Sequence, residues 1–172
     1  FRDALGVCRR HGFPFKYAHI SNSAGLLDLT EAQFQLVRPG IMLYGAPPSH
    51  DLLRPVSLDQ VMSFKTRVIQ VKEVAAGCPI GYGRAFVTQR PTIIATLPVG
   101  YNDGYPRCLS NKGMVLVRGQ RAPLVGRVSM SMITVDVTHI PGICRDDEVV
   151  LLGSQRDAII TADEIAELSG TI

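Results

Sequence analysis

After residue 50 the sequence alternates between apolar and polar residues, and this alternation limits the fold more than any other feature does. The alternating runs are FKTRVIQVKEV, TIIATLPVG, GMVLVRG, APLVGRVSMSMITVDV and DEVVLLG. Successive side chains of a strand point to opposite faces, so a period of two is typical of strands with one buried face. Turn signals separate the runs, namely Ala76-Gly77, Asn111-Lys112-Gly113 and Arg118-Gly119-Gln120. The sequence therefore predicts a small antiparallel barrel or sandwich in its second part.

The first part of the chain has a different pattern. It predicts a helix from about Phe1 to His11, a short strand ending at the segment HISNSAG, and a helix that begins at Thr30. A second strand, LVRPGIMLYG, follows. Strand, helix and strand make a βαβ unit, which needs neighbouring strands and cover for its sheet. We therefore expect this chain to be a piece of something longer.

A stretch rich in proline, GAPPSHDLLRPVS, lies between the two patterns. It predicts a boundary at about residues 46 to 56, with a first domain at 1–48 and a second at 49–172. The last segment, ITADEIAELSGTI, predicts a helix with a capping box, in which Thr161 bonds the backbone NH of Glu164 and Glu164 reaches back. Gly170 is expected to end that helix.

Composition excludes several classes of protein. The chain has 172 residues, of which 46% are hydrophobic and 19% are charged, so it can bury a core and is not disordered. Its net charge of +3 is too balanced to indicate nucleic acid as a partner. No aromatic platform accompanies Arg118, Arg121 and Arg127, which we expect to form a solvated strand edge.

Cysteine spacing and hydropathy limit the chain further. Cys8, Cys78, Cys108 and Cys144 lie far apart without a CxxC pair, so we expect free thiols and no metal site. No apolar stretch approaches the roughly 20 residues that cross a bilayer. The opening segment, FRDALGVCRRHG, lacks the apolar region of a signal peptide. These features predict a cytoplasmic protein without a membrane partner.

Two segments of the first part end an apolar run in a cluster of hydroxyl and backbone donors, which is an arrangement that cradles phosphates. In HISNSAG the donors belong to Asn22 and Ser23. In VRPGIMLYG, Gly40 lets its own backbone and that of Ile41 approach an anion closely. Alone, NSAG is an ordinary turn. Its pairing with RPGI about 15 residues later favours a phosphate site.

Arg38 and His19 belong to the same two segments. Arg38 follows a predicted strand and precedes Pro39, so it lies where a barrel strand would end. It is either a ligand-binding residue or the partner of a surface carboxylate. A histidine at a strand end, as His19 is here, is more often structural than functional. The residues alone leave these alternatives open.

Three further motifs lie in the second part. In IGYGRAF, Gly81 and Gly83 leave Tyr82 exposed, where its phenol is either a base that needs neighbouring cations or a packing aromatic. In PVGYNDGYPR, the turn around Tyr101 is expected to hold the ring at a rim. In GRVSMSM, Met130 lies between two serines, and methionine usually fills a core.

In order along the chain, HISNSAG, VRPGIMLYG, IGYGRAF, PVGYNDGYPR and GRVSMSM resemble the motifs of alanine racemases, which are pyridoxal-phosphate enzymes of bacterial cell-wall synthesis. The resemblance implies a mainly β fold, with an antiparallel C-terminal β-domain preceded by the last helix and last two strands of a TIM-type (β/α)8 barrel. It implies pyridoxal 5'-phosphate as the cofactor. It also implies interconversion of L-alanine and D-alanine, which supplies D-alanine for peptidoglycan.

The same resemblance implies roles for individual residues. Tyr82 is then the base on the L-alanine face, the main-chain NH of Met130 contacts the substrate carboxylate, and Tyr101 lines the substrate entry corridor. Arg38 faces the pyridine nitrogen and is held by a hydrogen bond with His19. The cofactor phosphate is bound by Asn22, Ser23, Gly40 and Ile41.

Some of what the resemblance implies lies outside this sequence or departs from it. None of Lys16, Lys65, Lys72 and Lys112 matches the lysine that binds the cofactor, so we expect the isolated chain to be inactive. Many relatives carry an acidic residue where this chain has Ser131, which leaves the charge and width of the entry corridor open. The family's β-domain covers the barrel of a second subunit, so the resemblance implies a homodimer with shared active sites.

Two alternatives stay open on this sequence. The first is another amino-acid racemase of the same fold that acts on serine or on a broader set of substrates. The second is a non-catalytic β-barrel binding module. The presence of the Tyr82 motif together with both phosphate segments argues against that second alternative.

Overall fold

The alternating runs of the second part form strands, as their period predicts. The computed structural model describes residues 1–13, 15–49 and 51–171, and the chain divides into two compact units, Phe1–Val61 and Met62–Ile172. Ten strands are formed by the described residues of the second unit. They are β1 (Phe64–Arg67), β2 (Gln70–Val74), β3 (Pro79–Ile80), β4 (Phe86–Val87), β5 (Thr92–Leu97), β6 (Met114–Val117), β7 (Gln120–Pro123), β8 (Ile133–Asp136), β9 (Glu148–Gln155) and β10 (Ala158–Ile160).

The strands of the second unit pair in antiparallel fashion. The largest sheet has the order β1-β9-β6-β7, with β10 also paired to β9. A second sheet has the order β2-β5-β8, and β3 pairs with β4 in a short hairpin. A bridge from Leu124 to Val135 links the end of β7 to β8. The prediction of a mainly β, antiparallel second part is confirmed.

The core of the second unit explains why β9 departs from strict alternation. Five consecutive residues of this strand are buried, because hydrophobic clusters cover both of its faces. Val149 and Leu151 belong to the main core, whereas Val150 packs with Leu116 and Ile160 on the other side. A strand that is buried on both faces is typically apolar throughout rather than alternating.

The first unit contains the predicted N-terminal helix, α1 (Arg2–Arg10), but the predicted βαβ order is wrong. None of its described residues is in a strand. The second helix, α2 (Ser23–Asp28), begins within the donor segment itself. Thr30 starts only a short 3-10 turn, Thr30–Ala32. A second 3-10 turn, Ile41–Tyr44, occupies much of the second predicted strand.

These differences have physical causes. A parallel strand needs hydrogen-bonded neighbours. In the described part of this unit, a single backbone-to-backbone bond joins the two predicted strands, from Arg38 N to Ser21 O at 2.9 Å. α2 begins early because Asn22 caps it, with its Oδ1 accepting a hydrogen bond from Gly25 N at 2.9 Å. The prediction from periodicity did not include this cap.

The last helix, α3 (Ala162–Ser169), begins and ends where the sequence predicts. Thr161 Oγ1 accepts a hydrogen bond from Glu164 N at 3.1 Å, and Gly170 ends the helix at a φ of 68°. The reciprocal bond from Glu164 is replaced by another interaction. Its carboxylate accepts hydrogen bonds of 2.5 and 2.8 Å from Arg121 of β7. α3 is thereby connected to the sheet, and Ile165 packs against the core.

Two of the three arginines that were expected at a solvated strand edge are partly exposed and also form ion pairs. Besides Arg121, the guanidinium of Arg118 donates two hydrogen bonds to Asp147, at 3.1 and 3.2 Å. Burial alone would raise the pKa of Asp147, but the NH of Cys144 and the guanidinium of Arg118 outweigh it and lower that pKa. Both arginines connect separate segments of the second unit.

Other expectations concern membranes, thiols and metals. None of the helices in the described residues combines the length and the apolar character that crossing a membrane requires. The four cysteines are free. Within the described ranges, no group of three or more His, Cys, Asp or Glu side chains has an arrangement that could hold a metal ion.

Replacing Thr161 by Ala removes the hydroxyl oxygen that caps α3, and loss of such a cap costs about 1 kcal/mol of stability. We expect the amide protons of α3 to exchange with solvent roughly five-fold faster, because local opening of the helix becomes easier. Thr161→Ser is the matched control, since it keeps the capping oxygen. Equal exchange rates in the two variants of the intact protein would contradict this role of Thr161.

Candidate functional site

Two short turns of the first unit, at the start of α2 and at Ile41–Tyr44, are held side by side. Gly40 N donates a hydrogen bond to the hydroxyl of Ser23 at 2.8 Å. Arg38 N donates to the carbonyl of Ser21 at 2.9 Å. The fold therefore brings together the two donor segments that the sequence pairs, and Ser23 is buried where they meet.

Backbone donors are left free where these segments meet. The NH groups of Ser23 and Ala24 open α2, those of Ile41 and Met42 open the 3-10 turn, and none of them donates to another described residue. Helix starts carry a partial positive charge and bind anions. A Cβ on Gly40 would meet just one described atom within 4 Å, the hydroxyl oxygen of Ser23 at 4.0 Å. Open space beside free amides fits a phosphate group.

The charge of Arg38 is available next to this cluster of amides. Its side chain is exposed, and the guanidinium contacts the carbonyl of Ile20 at 3.5 Å. No carboxylate in the described residues pairs with it, so the alternative of a surface ion pair is not observed. His19 is also exposed, and no hydrogen bond joins it to Arg38 in the described ranges. The bond between His19 and Arg38 stays a prediction.

Tyr82 lies in a 3-10 turn, Tyr82–Arg84, that connects β3 to β4. Its side chain is 75% exposed, so the predicted exposure of the phenol is confirmed. The flanking Gly81 and Gly83 have φ values of 72° and 68°, which favour glycine. Gly81 also permits close packing, since a Cβ at this position would lie 3.2 Å from Arg127 N.

Arg127 lies beside the Tyr82 turn, and sequence reasoning missed it as a site residue. A Cβ on Gly83 would be 3.5 Å from Cζ of Arg127, and no acidic side chain in the described residues pairs with this guanidinium. A cavity of about 370 Å³ opens here, and its lining includes Tyr82, Arg127, Ser129 and Thr134. The positive charge favours anionic ligands in this cavity. One feature of the sequence could have pointed to Arg127. Gly126 precedes it, and a glycine at such a position indicates that another backbone approaches closely.

Tyr101 and Met130 lie in two loops that are joined by their backbones. Tyr101 N donates to Ser129 O and Asn102 N donates to Met130 O, each at 3.0 Å. Gly100 permits this approach, because a Cβ there would overlap both carbonyl oxygens. The side chains of Tyr101 and Met130 are 48% and 57% exposed, so Met130 is not the core residue that its type favours. The structure thus joins two motifs that are far apart in sequence.

Tyr105 belongs to the same motif as Tyr101 but has a different environment. Its side chain is buried in the main core. Burial, together with the negative charge of Glu164, raises the pKa of Tyr105 above its ordinary value. This phenol therefore stays protonated at neutral pH and is unsuited to act as a base. Of the two tyrosines in the motif, Tyr101 is the one that can meet a ligand.

Comparison with known families decides what these motifs belong to. Residues 61–172 match the family described as "Alanine racemase, C-terminal domain", and residues 1–48 match "Alanine racemase, N-terminal domain". The chain belongs to the alanine racemase family. The resemblance drawn from the five motifs is therefore confirmed.

Alanine racemases from other bacteria align with the whole chain. That of Syntrophobacter fumaroxidans is 62% identical over 172 residues, which cover 100% of this chain and 46% of the relative. That of Halothermothrix orenii is 53% identical over 172 residues, which cover 100% of this chain and 45% of the relative. The chain thus spans less than half the length of these alanine racemases.

Solved alanine racemase structures share the fold of the chain. The Bacillus anthracis alanine racemase with bound L-Ala-P superposes with a TM-score of 0.90 at 36% identity, covering 100% of this chain and 44% of that one. The Bartonella henselae alanine racemase with covalently bound pyridoxal phosphate has a TM-score of 0.80 at 36% identity, covering 99% and 47%. The predicted fold class, a C-terminal β-domain preceded by a small barrel remnant, is confirmed.

In this chain, Gly100→Ala is expected to separate the Tyr101 loop from the Met130 loop. The added Cβ would overlap two carbonyl oxygens, so the backbone must shift and the bonds from Tyr101 N and Asn102 N must lengthen. We expect these two amides to exchange with solvent roughly ten-fold faster or more.

Gly104→Ala is the matched control for this substitution. Gly104 lies in the same turn, where a Cβ meets no described atom within 4 Å, although its φ of 94° makes the change strained. Gly104→Ala therefore reports the effect of backbone strain without a clash, whereas loss of the two loop bonds is expected in Gly100→Ala. Unchanged protection of Tyr101 N and Asn102 N in Gly100→Ala would show that the loops are held by other contacts.

Proposed function

We propose that this chain is part of an alanine racemase, a pyridoxal-phosphate-dependent isomerase that interconverts L-alanine and D-alanine. Membership of the family supports this proposal. So do two related structures, the alanine racemase with bound L-Ala-P and the one with covalently bound pyridoxal phosphate. Residues 1–48 are then the end of a (β/α)8 barrel, and residues 49–172 are the β-domain.

The observation that carries the proposal is the surface shared by the three motifs of the second unit. The phenol of Tyr82 is exposed at a cavity whose lining reaches Ser129. The carbonyl of Ser129 accepts the bond from Tyr101 N, and Met130 is the next residue. An acid/base group must come within hydrogen-bonding reach of its substrate, and Tyr82 has no packing role that would prevent this.

The first unit fits the cofactor. Its free amides at Ser23 and Ile41 and the open space at Gly40 form an anion site that matches the phosphate of pyridoxal phosphate, at the start of a helix that Asn22 caps. When bound, this cofactor supplies an electron-withdrawing ring that makes the α-proton of an amino acid easier to remove. The fit of these residues supports pyridoxal phosphate as the cofactor.

Arg38 sets the protonation of the pyridine nitrogen in this proposal. A guanidinium keeps its proton at any pH at which proteins are folded, so it donates a hydrogen bond and cannot transfer the proton. With the cofactor bound, Arg38 would donate a hydrogen bond to the pyridine nitrogen without giving up a proton, which would disfavour side reactions such as transamination. His19 orients the guanidinium through the hydrogen bond implied by the family.

Tyr82 transfers a proton on one face of the substrate. Its phenolic oxygen takes the α-proton from L-alanine and returns a proton to the same face in the reverse direction. A lysine from a segment outside the 172 residues does the same on the opposite face, because none of the four lysines of this chain matches the family's position. One acid/base group on each face allows either enantiomer to form.

Two further residues guide the substrate. The main-chain NH of Met130 binds the carboxylate of alanine, and the ring of Tyr101 lines the entry corridor. Ser131, which is exposed, leaves this corridor polar but without the negative charge that many relatives have there. An anionic substrate carboxylate meets less repulsion as a result.

The proposal extends to assembly and biological role. Two copies of the full-length protein form a homodimer, in which Tyr82, Tyr101 and Met130 serve the cofactor that is held by the partner's copy of the first unit. The enzyme is cytoplasmic, and its product D-alanine is supplied to peptidoglycan synthesis. The exposed Arg127, which has no acidic partner among the described residues, and the exposed loops of the second unit support a surface that meets another subunit.

Tyr82→Phe in the full-length enzyme tests the proposal most directly. The change keeps the ring but removes the proton acceptor on the L-alanine face, so turnover in both directions should fall by about 10²–10⁴-fold. Isotope exchange should be asymmetric. The rate at which L-alanine loses its α-proton to solvent should fall far more than the corresponding rate for D-alanine. Tyr17→Phe, which alters an exposed tyrosine outside the site, is the control. Equal loss for both enantiomers would remove Tyr82 from the mechanism, and a wild-type enzyme that does not racemise alanine would overturn the proposed function.

Arg38→Glu in the full-length enzyme tests the role of the guanidinium. A carboxylate at this position would hold a proton on the pyridine nitrogen and draw the negative charge of the reaction into the ring. We expect slower racemisation and a larger share of transamination products, measured by chromatography of the reaction mixture. Arg38→Lys keeps a positive charge and should show a smaller rise in side products. Normal racemisation by Arg38→Glu without side products would refute the assignment of Arg38.

A further inference from the structure

The turn that carries Tyr82 is weakly supported by its own backbone. Three of its residues have positive φ angles, namely 72° at Gly81, 68° at Gly83 and 49° at Arg84. A left-handed conformation is unfavourable for a residue with a Cβ, such as Arg84. A single 3-10 turn, Tyr82–Arg84, is the regular structure present here. A turn of this kind needs support from elsewhere to hold one conformation.

Asn111 supplies that support from a different part of the chain. Its Nδ2 donates a hydrogen bond to the carbonyl of Ala85 at 2.9 Å, directly after the Tyr82 turn. Among the hydrogen bonds of the described residues, this is the one that connects residues 81–85 to a segment outside the β3–β4 hairpin. Asn111 itself has a φ of 58°, a conformation that asparagine tolerates better than most residues.

The other end of the same carboxamide holds a second segment of the site. Asn111 Oδ1 accepts a hydrogen bond from Gly126 N at 2.6 Å. Gly126 and Arg127 pack directly on the base of the Tyr82 turn, since a Cβ on Gly81 would lie 3.2 Å from Arg127 N. The adjacent Ser110 accepts a further hydrogen bond from Val128 N at 3.0 Å. The turn at 110–111 therefore fixes the segment that leads to Met130.

We propose that Asn111 is a positioning residue, whose carboxamide bridges Ala85 O and Gly126 N and so fixes the Tyr82 turn relative to the segment that leads to Met130. The inference rests on the proposed function, in which Tyr82 takes a proton and Met130 NH binds the substrate carboxylate. Asn111 touches neither substrate nor cofactor. It acts by limiting the positions that the phenolic oxygen can occupy above the substrate.

Asn111→Gly in the full-length enzyme removes both bonds without backbone strain, because glycine adopts the left-handed conformation freely. We expect the rate of α-proton exchange from L-alanine to fall roughly ten- to hundred-fold, since a small misplacement of a reacting group lowers the reaction rate strongly. Exchange from D-alanine should change far less. Arg156→Gly is the control, because Arg156 also has a positive φ, of 54°, in a turn of the same unit, and no hydrogen bond of its side chain to the described residues is observed.

Asn111→Asp separates the two bonds. The carboxylate still accepts from Gly126 N, but it repels the carbonyl of Ala85, to which the amide group had donated. Hydrogen exchange of the Gly126 amide should therefore be slow in the wild type and in Asn111→Asp, and faster in Asn111→Gly. This readout requires no turnover and remains informative if the enzyme acts on a different substrate.

A double-mutant cycle with Tyr82→Phe decides whether Asn111 acts through Tyr82. If it does, Asn111→Gly should lower turnover little further once the phenolic hydroxyl is absent, since coupled residues are non-additive. Full additivity, or equal effects of Asn111→Gly on L-alanine and D-alanine exchange, would overturn the inference while leaving the proposed function in place. A wild-type enzyme without racemase activity would instead refute the proposed function, and the exchange of Gly126 NH would still test the bridge.

Discussion

Close approach between backbones at glycine is the constraint on which the site of the second unit depends. At Gly100 and Gly81, a side chain would strike the backbone of a loop that is distant in sequence. The absence of that side chain lets amide and carbonyl groups of different loops bond directly, as Tyr101 N does with Ser129 O. Direct backbone bonds fix loop positions more tightly than long side chains do, because fewer rotatable bonds separate the two segments.

The core of the second unit is organised around β9, which lies at the centre of the largest sheet. This strand pairs with β1, β6 and β10 and is buried on both faces, so its neighbours cannot move without exposing the core. β5 and β8, which adjoin the Tyr101 loop and the Met130 loop, belong to the second sheet and pack in the same core as β9. A rigid sheet with exposed loops is a common basis for binding and catalysis, since the scaffold keeps its shape while the loop residues meet the ligand.

Local patterns predicted what depends on local forces. The alternation of the second part, the cap at Thr161 and the exposure of Tyr82 between two glycines were all readable from neighbouring residues. The predicted strands of the first unit failed, because a strand is defined by partners that the sequence pattern does not show. The bridge made by Asn111 could not be predicted either, since its partners Ala85 and Gly126 are 26 and 15 positions away in the chain. Its sequence context, Asn-Lys-Gly, indicated only a turn.

The free amides next to Ser23 couple ligand binding to the order of the first unit. Few hydrogen bonds connect its two donor segments in the described residues, and they involve Gly40 and Arg38. A phosphate that bonds to both segments adds cross-links that the polypeptide does not supply, and any ligand specific for the folded form stabilises it in proportion to the logarithm of its concentration. In the proposed function, the cofactor's phosphate is in this sense a structural element of the protein. Its departure would loosen the backbone around Arg38 as well as remove the reactive ring.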